Sequence, residues 1–116
     1  MRVLNRTAVS VTGAEPFVEW MGGTDSDAAK GMLTVRRAKP YGSAFLLPEF
    51  ELEEDVEEWI EDNATWIFEV QLASWTEEES LWPPSRDLAT FRRWFRIDIH
   101  NVVIDVPDDD IEGEEL

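Results

Sequence analysis

Between Glu49 and Asp62 the chain carries nine carboxylates (Glu49, Glu51, Glu53, Glu54, Asp55, Glu57, Glu58, Glu61, Asp62) and no base. Burying an ionised carboxylate without a partner is prohibitive, so this segment must face water along at least one side. Val56, Trp59, Ile60, Asn63, Ile67 and Val70 recur on one side of a 3.6-residue period, which supplies the other, apolar side. Acids also suit the start of a helix, where the macrodipole is positive. The spacing predicts an amphipathic helix over 55–73, with Asp55 and Glu58 at capping-box distance. Phe68 to Leu72 alternates as a strand would, and Thr65-Trp66-Ile67 has β-propensity. No Gly or Pro interrupts the helical period, and helix is the expected state.

The flanking segments supply the rest of an α+β fold. Val3 to Val11 alternates as a strand with one half-buried face. Pro16 suits the first turn of a short helix, whose apolar side is Phe17, Trp20 and Met21 and whose end is Gly22-Gly23. Thr24 to Gly31 reads as a polar loop. Met32 to Arg37 and Tyr41 to Leu47 read as strands joined by a turn at Ala38-Lys39-Pro40, with Pro48 stopping the second. Thr76 and Glu79 have capping-box spacing for a single turn, and Trp82-Pro83-Pro84 forces an extended link. Ser85 is expected to cap a last helix carrying Leu88, Phe91, Trp94 and Phe95. Ile97 to Val106 is the clearest strand, and Val102-Val103-Ile104 predicts burial on both faces, hence a central position. The architecture expected is a small, mainly antiparallel sheet of three or four strands with helices packed on one face. A single domain spans 1–107, and 108–116 is an acidic tail with too little apolar surface to order itself.

Charge narrows the function. Residues 41–116 hold 22 acids against Arg86, Arg92, Arg93 and Arg96, whereas residues 1–40 hold four acids against six bases. Such a field repels nucleic-acid phosphate and anionic lipid, so neither nucleic acid nor membrane is an expected direct partner. The absence of cysteine excludes disulfides, thiolate metal sites and a thiol nucleophile together. The N-terminus lacks the apolar run of a secretory leader, and no stretch approaches the ~18 apolar residues of a membrane span. A soluble, cytoplasmic protein is expected.

Several landmarks recur in order: Pro16-Phe17 with Trp20, Leu47-Pro48-Glu49-Phe50-Glu51, Ile67-Phe68-Glu69, Trp75, Trp82-Pro83, Arg86, Phe91, Trp94-Phe95, His100 and Asp105. This order resembles a family of short acidic bacterial proteins, a domain of unknown function. The resemblance covers nearly the whole chain to Asp105. It implies a bacterial, cytoplasmic origin and supports helix over 64–73, and it brings no activity, cofactor or site residue with it.

The residues that carry chemistry are few. His100, the single histidine, shares a strand face with Asp98, and Asp-x-His can orient an imidazole or offer two metal ligands. A sheet-end, half-exposed histidine is the expected role, because Val102 and Ile104 continue that face. The tail Asp108-x-Asp110-x-Glu112-Gly113 starts like a calcium loop but lacks the glutamate and helix that complete one. No phosphate-binding glycine pattern occurs. Neither metal nor cofactor is expected. Six tryptophans are many for 116 residues, and one or two should remain part exposed. The four C-terminal arginines are expected to pair with the acidic helix.

The function expected is a small acidic interaction or regulatory module that binds a protein with a basic surface through Glu53, Glu54, Glu57 and Glu58. A nucleic-acid mimic or nuclease-immunity-type inhibitor would use the same carboxylates as phosphate substitutes. An enzyme built on His100, Asp98 and other carboxylates is the weaker alternative, and it requires a pocket into which His100 opens.

Overall fold

The computed structural model describes residues 1–24 and 42–116. The strand expected over 32–37, the turn at 38–40 and nearly all of the loop over 24–31 lie outside these. Among the described residues the elements are β1 (Arg2–Val3), β2 (Arg6–Gly13), α1 (Glu15–Gly23), β3 (Gly42–Pro48), α2 (Glu53–Trp75), a 3₁₀ turn (Glu79–Leu81), α3 (Leu88–Trp94), β4 (Phe95–His100) and β5 (Ile104–Asp105). The fold is α+β, with two antiparallel sheets, β3-β2-β4 and β1-β5.

β2 is the centre of the larger sheet. Its alternation buries Thr7, Val9 and Val11, and the register sets Val9 opposite Phe45 of β3 and Ile99 of β4. Side chains directly opposite one another share a face. Thr7, Val9, Val11, Leu47 and Phe95 therefore form one inner surface, and the helices pack onto it. Arg6, Ala8, Ser10 and Thr12 line the outer surface with Leu46, Arg96, Asp98 and His100.

α1 begins with Pro16 in its first turn and buries Phe17 and Met21. The Phe17 ring lies against Gly13, where an added Cβ would stand 2.7 Å from the ring, so a side chain there would push the ring off the strand. α2 is a single 23-residue helix. Its buried line is Val56, Ile60, Ala64, Ile67, Phe68, Gln71 and Leu72. The strand-like alternation of 68–72 therefore carries no strand. The buried line is turned from the expected one: Trp59, Asn63 and Val70 flank it half-buried, and Trp66 is 51% exposed, edge-on to Phe45. Ala64 has no bulk to announce itself in a hydrophobic pattern, yet it is buried in the core. Phe68 then meets Phe91, Trp94 and Phe95 at 6.2, 5.3 and 5.3 Å, the centre of the aromatic core.

Three expectations about boundaries are corrected. α2 starts at Glu53 with Leu52 as its N-cap and no side-chain cap, so Asp55 and Glu58 form no capping box. α3 is capped by Asp87, whose carboxylate accepts the Thr90 N–H at 2.8 Å; Ser85 instead shares a hydrogen bond with the Thr90 hydroxyl. Thr76 ends α2, and its hydroxyl accepts from the Glu78 N–H rather than capping the 3₁₀ turn.

The largest correction is the last strand. β4 stops at His100, occupies an edge of the sheet among the described residues, and is followed by a break before β5. Val102, Ile104 and Val106 are 58%, 51% and 63% exposed rather than buried on both faces. The break mirrors the one between β1 and β2: β5 pairs β1, and the Leu4 N–H donates to the Val103 carbonyl. β-branched residues favour extended backbone whether or not anything covers them, which is why the run looked central.

Tryptophan ring nitrogens tie the helix ends together. Trp20 donates to the Leu81 carbonyl, Trp75 to the Thr24 hydroxyl and Trp82 to the Thr76 carbonyl, all at 2.9–3.0 Å. Each ring packs against the core while its N–H finds an acceptor at the rim. Residues 106–116 are exposed and form no helix or strand.

Candidate interaction site

The acidic run wraps the N-terminal end of α2. β3 ends at Pro48, and the Phe50 N–H donates to the Thr7 hydroxyl at 3.0 Å, which pins the connection to β2. That bond satisfies a hydroxyl that is otherwise buried at the sheet end. Leu52 is extended, and the helix starts directly after it.

Glu53, Glu54 and Glu58 are exposed and have no ion-pair partner among the described residues. Glu57 differs from the other three expected site residues, because it lies 3.4 Å from Arg92, which also approaches Glu61 at 3.8 Å. Arg86 reaches Glu69 at 3.7 Å, stacks over Trp82 and donates to the Pro83 carbonyl. Two of the four arginines thus meet α2, while Arg93 turns to Thr90 and Arg96 to Asp98. Arg92 of α3 compensates the second and third turns of α2, and among the described residues no base pairs with the carboxylates of its first turn.

Beside that turn lies a cavity of about 300 Å³, lined by Thr7, Phe50, Glu51, Leu52, Glu53, Val56, Ile99 and Asn101. Its apolar lining residues are Phe50, Leu52, Val56 and Ile99, and its polar ones Thr7, Glu51, Glu53 and Asn101. Asn101 and Ile99 line this cavity without any signal in the sequence that marks them for it. Nothing in the pattern of β4 relates it to residues 50–56 until the sheet brings the end of β4 beneath the start of α2.

Asp98 and His100 lie elsewhere. They point to the outer sheet face, and strand alternation sends their neighbours Ile99 and Asn101 to the cavity side. The structure does place a hydroxyl beside the imidazole: Ser10 Oγ and His100 Nε2 are 3.1 Å apart. Asp98 is not the third member of a relay, because Arg96 holds it at 2.9 Å. His100 is exposed on an open surface and does not line the cavity. Among the described residues no group of three or more His, Asp or Glu side chains is arranged to hold a metal ion. Nor, among them, is any helix long and apolar enough to cross a membrane.

Comparison with protein-family models, curated proteins and solved structures finds no match to this chain.

Proposed function

We propose that this protein is a small acidic interaction module of the cytoplasm that binds a protein with a basic face through the first turns of α2. The observation that supports this reading is the group of carboxylates of Glu51, Glu53, Glu54 and Glu58, without an ion-pair partner among the described residues, beside an open cavity, with Arg92 engaged further along the helix. Uncompensated charge of one sign steers an oppositely charged surface and raises its association rate. Between exposed groups that attraction is screened over about 10 Å at 0.1 M salt, so recruitment is salt-dependent. The nucleic-acid-mimic form of the reading uses the same face, and an acidic oligonucleotide competing for the partner would select it. An enzyme reading gains no support from Ser10 and His100, which among the described residues have neither an enclosing pocket nor an orienting carboxylate.

The test is affinity capture from bacterial lysate at low and high salt, followed by Glu53→Lys, Glu54→Lys and Glu58→Lys combined. Glu57 is left intact because reversing it would drive Arg92 away and confuse folding with binding. Loss of a salt-sensitive, basic partner with an unchanged circular dichroism spectrum supports the reading. A partner retained by the triple variant refutes it.

A further inference from the structure

We propose that the cavity at the start of α2 is a socket for an arginine side chain of the basic partner, an inference that rests on the interaction reading above. The chemistry of the lining selects the occupant. Val56 and Thr7 are buried and Ile99 and Phe50 half-buried, and Val56, Ile99 and Phe50 offer an apolar patch for a methylene stem within a lining that is otherwise polar. Glu51 and Glu53 are exposed at the cavity, and among the described residues neither carboxylate has an ion-pair partner. An occupant with an apolar stem and a cationic head satisfies both parts, as long basic side chains do when they bury the stem and keep the head polar. Arginine fits better than lysine, because its planar fork presents five donors and can bridge two carboxylates and an amide oxygen.

A competing feature is the end of α2 itself. Its first turn has no side-chain cap, and a helix N-terminus carries a positive partial charge of roughly half an elementary unit. Taken alone, that would favour an anion. Glu51, Glu53, Glu54 and Asp55 place four full negative charges around the same turn, which outweigh the dipole and exclude an anionic guest.

The experiment titrates the full chain with four capped tripeptides, Gly-X-Gly with X as arginine, lysine, norleucine or glutamate, and follows backbone amide shifts. The arginine peptide is expected to saturate shifts confined to Phe50, Leu52, Val56, Ile99 and Asn101, with lysine weaker and norleucine weaker still. Two variants of equal net charge separate a socket from a general field. Glu51→Gln with Glu53→Gln removes the charges at the cavity, and Glu54→Gln with Glu58→Gln removes two outside it. The first pair is expected to weaken the arginine peptide about tenfold, the scale of one charge-assisted hydrogen bond, and the second by no more than about twofold. Equal losses in both pairs, or shifts spread along 54–62, overturn the socket and leave salt-dependent binding of a basic protein standing. Equal binding of norleucine and arginine also overturns it, since the cavity would then be merely apolar. Preference for the glutamate peptide overturns both the socket and the interaction reading, by exposing an anion site at the helix end.

Discussion

Ser10 Oγ and His100 Nε2 meet at 3.1 Å across β2 and β4, ninety residues apart in the chain and on the face of the sheet opposite the core. The pair is an exposed cross-strand hydrogen bond. Exposed hydrogen bonds exchange with water at little net cost, so Ser10→Ala and His100→Ala should each change stability by less than about 1 kcal/mol. Neither should weaken a basic partner. Urea denaturation and the binding assay check both. If His100→Ala abolished function while the α2 charge reversal did nothing, an enzyme would have to replace the interaction module.

The core makes a sharper demand. Ile67 is fully buried on α2, whereas its neighbour Trp66 is half exposed. Ile67→Ala should cost about 2–5 kcal/mol, the range for truncation of a large aliphatic core residue. Trp66→Ala, despite the larger side chain removed, should cost less than Ile67→Ala. Glu54→Ala and Glu58→Ala should be neutral or slightly stabilising by relieving repulsion. Chemical denaturation of the four variants gives the order.

Gln71 is the buried polar group of α2, 1% exposed, and its amide exchanges two hydrogen bonds with the Ser43 hydroxyl at 3.0 and 3.2 Å. Ser43→Ala would leave that amide without its partner and should cost about 1–3 kcal/mol. Replacing Gln71 by Leu in the same chain removes the unsatisfied group and should recover part of the loss. A double-mutant cycle measures the coupling.

Asp87 gives the pH dependence. The Thr90 backbone N–H, helped by the Thr90 hydroxyl, holds its carboxyl below the ordinary value of 3.8. A depressed folded value means the contribution is fully present above the unfolded value and lost as pH falls through the folded one. Asp87→Ala should lower the melting temperature at pH 7, and the gap from the parent should narrow as the pH drops below 3.8. Asp87→Asn, which keeps an acceptor without the charge, should fall between the two. Thermal melts from pH 7 to pH 2 test the sign.

The tail makes the last prediction. Residues 108–116 are exposed and carry six carboxylates, and their one ion pair among the described residues, Asp108 with the Met1 amino group at 3.6 Å, is exposed on both sides. Exposed pairs contribute little, so deleting the tail should leave the melting temperature unchanged or raise it slightly. A loss of several degrees would mean that the tail is docked.

What the sequence determined was local. Pro16, the Gly22-Gly23 stop and Pro48 act through backbone geometry at their own positions, and the elements begin and end near them. The alternation Thr7, Val9, Val11 and the helical period from Val56 to Ile67 set which faces are apolar, because each period is a property of one element. The crowding of acids onto the start of α2 was legible for the same reason: adjacent charges remain adjacent in any fold.

Tertiary structure decided whatever depends on which element lies beside which. Val102, Ile104 and Val106 have the composition of a central strand, yet they are exposed, since β-branched residues favour extended backbone without specifying cover. Gln71 is buried where α2 meets Ser43 of β3 and Ala64 where α2 joins the core, and no hydropathy pattern announces either. Asn101 and Ile99 reach the cavity, and Ser10 reaches His100, through strand pairing. Strand register is set by long-range packing, and residues ninety positions apart carry no local signal of each other.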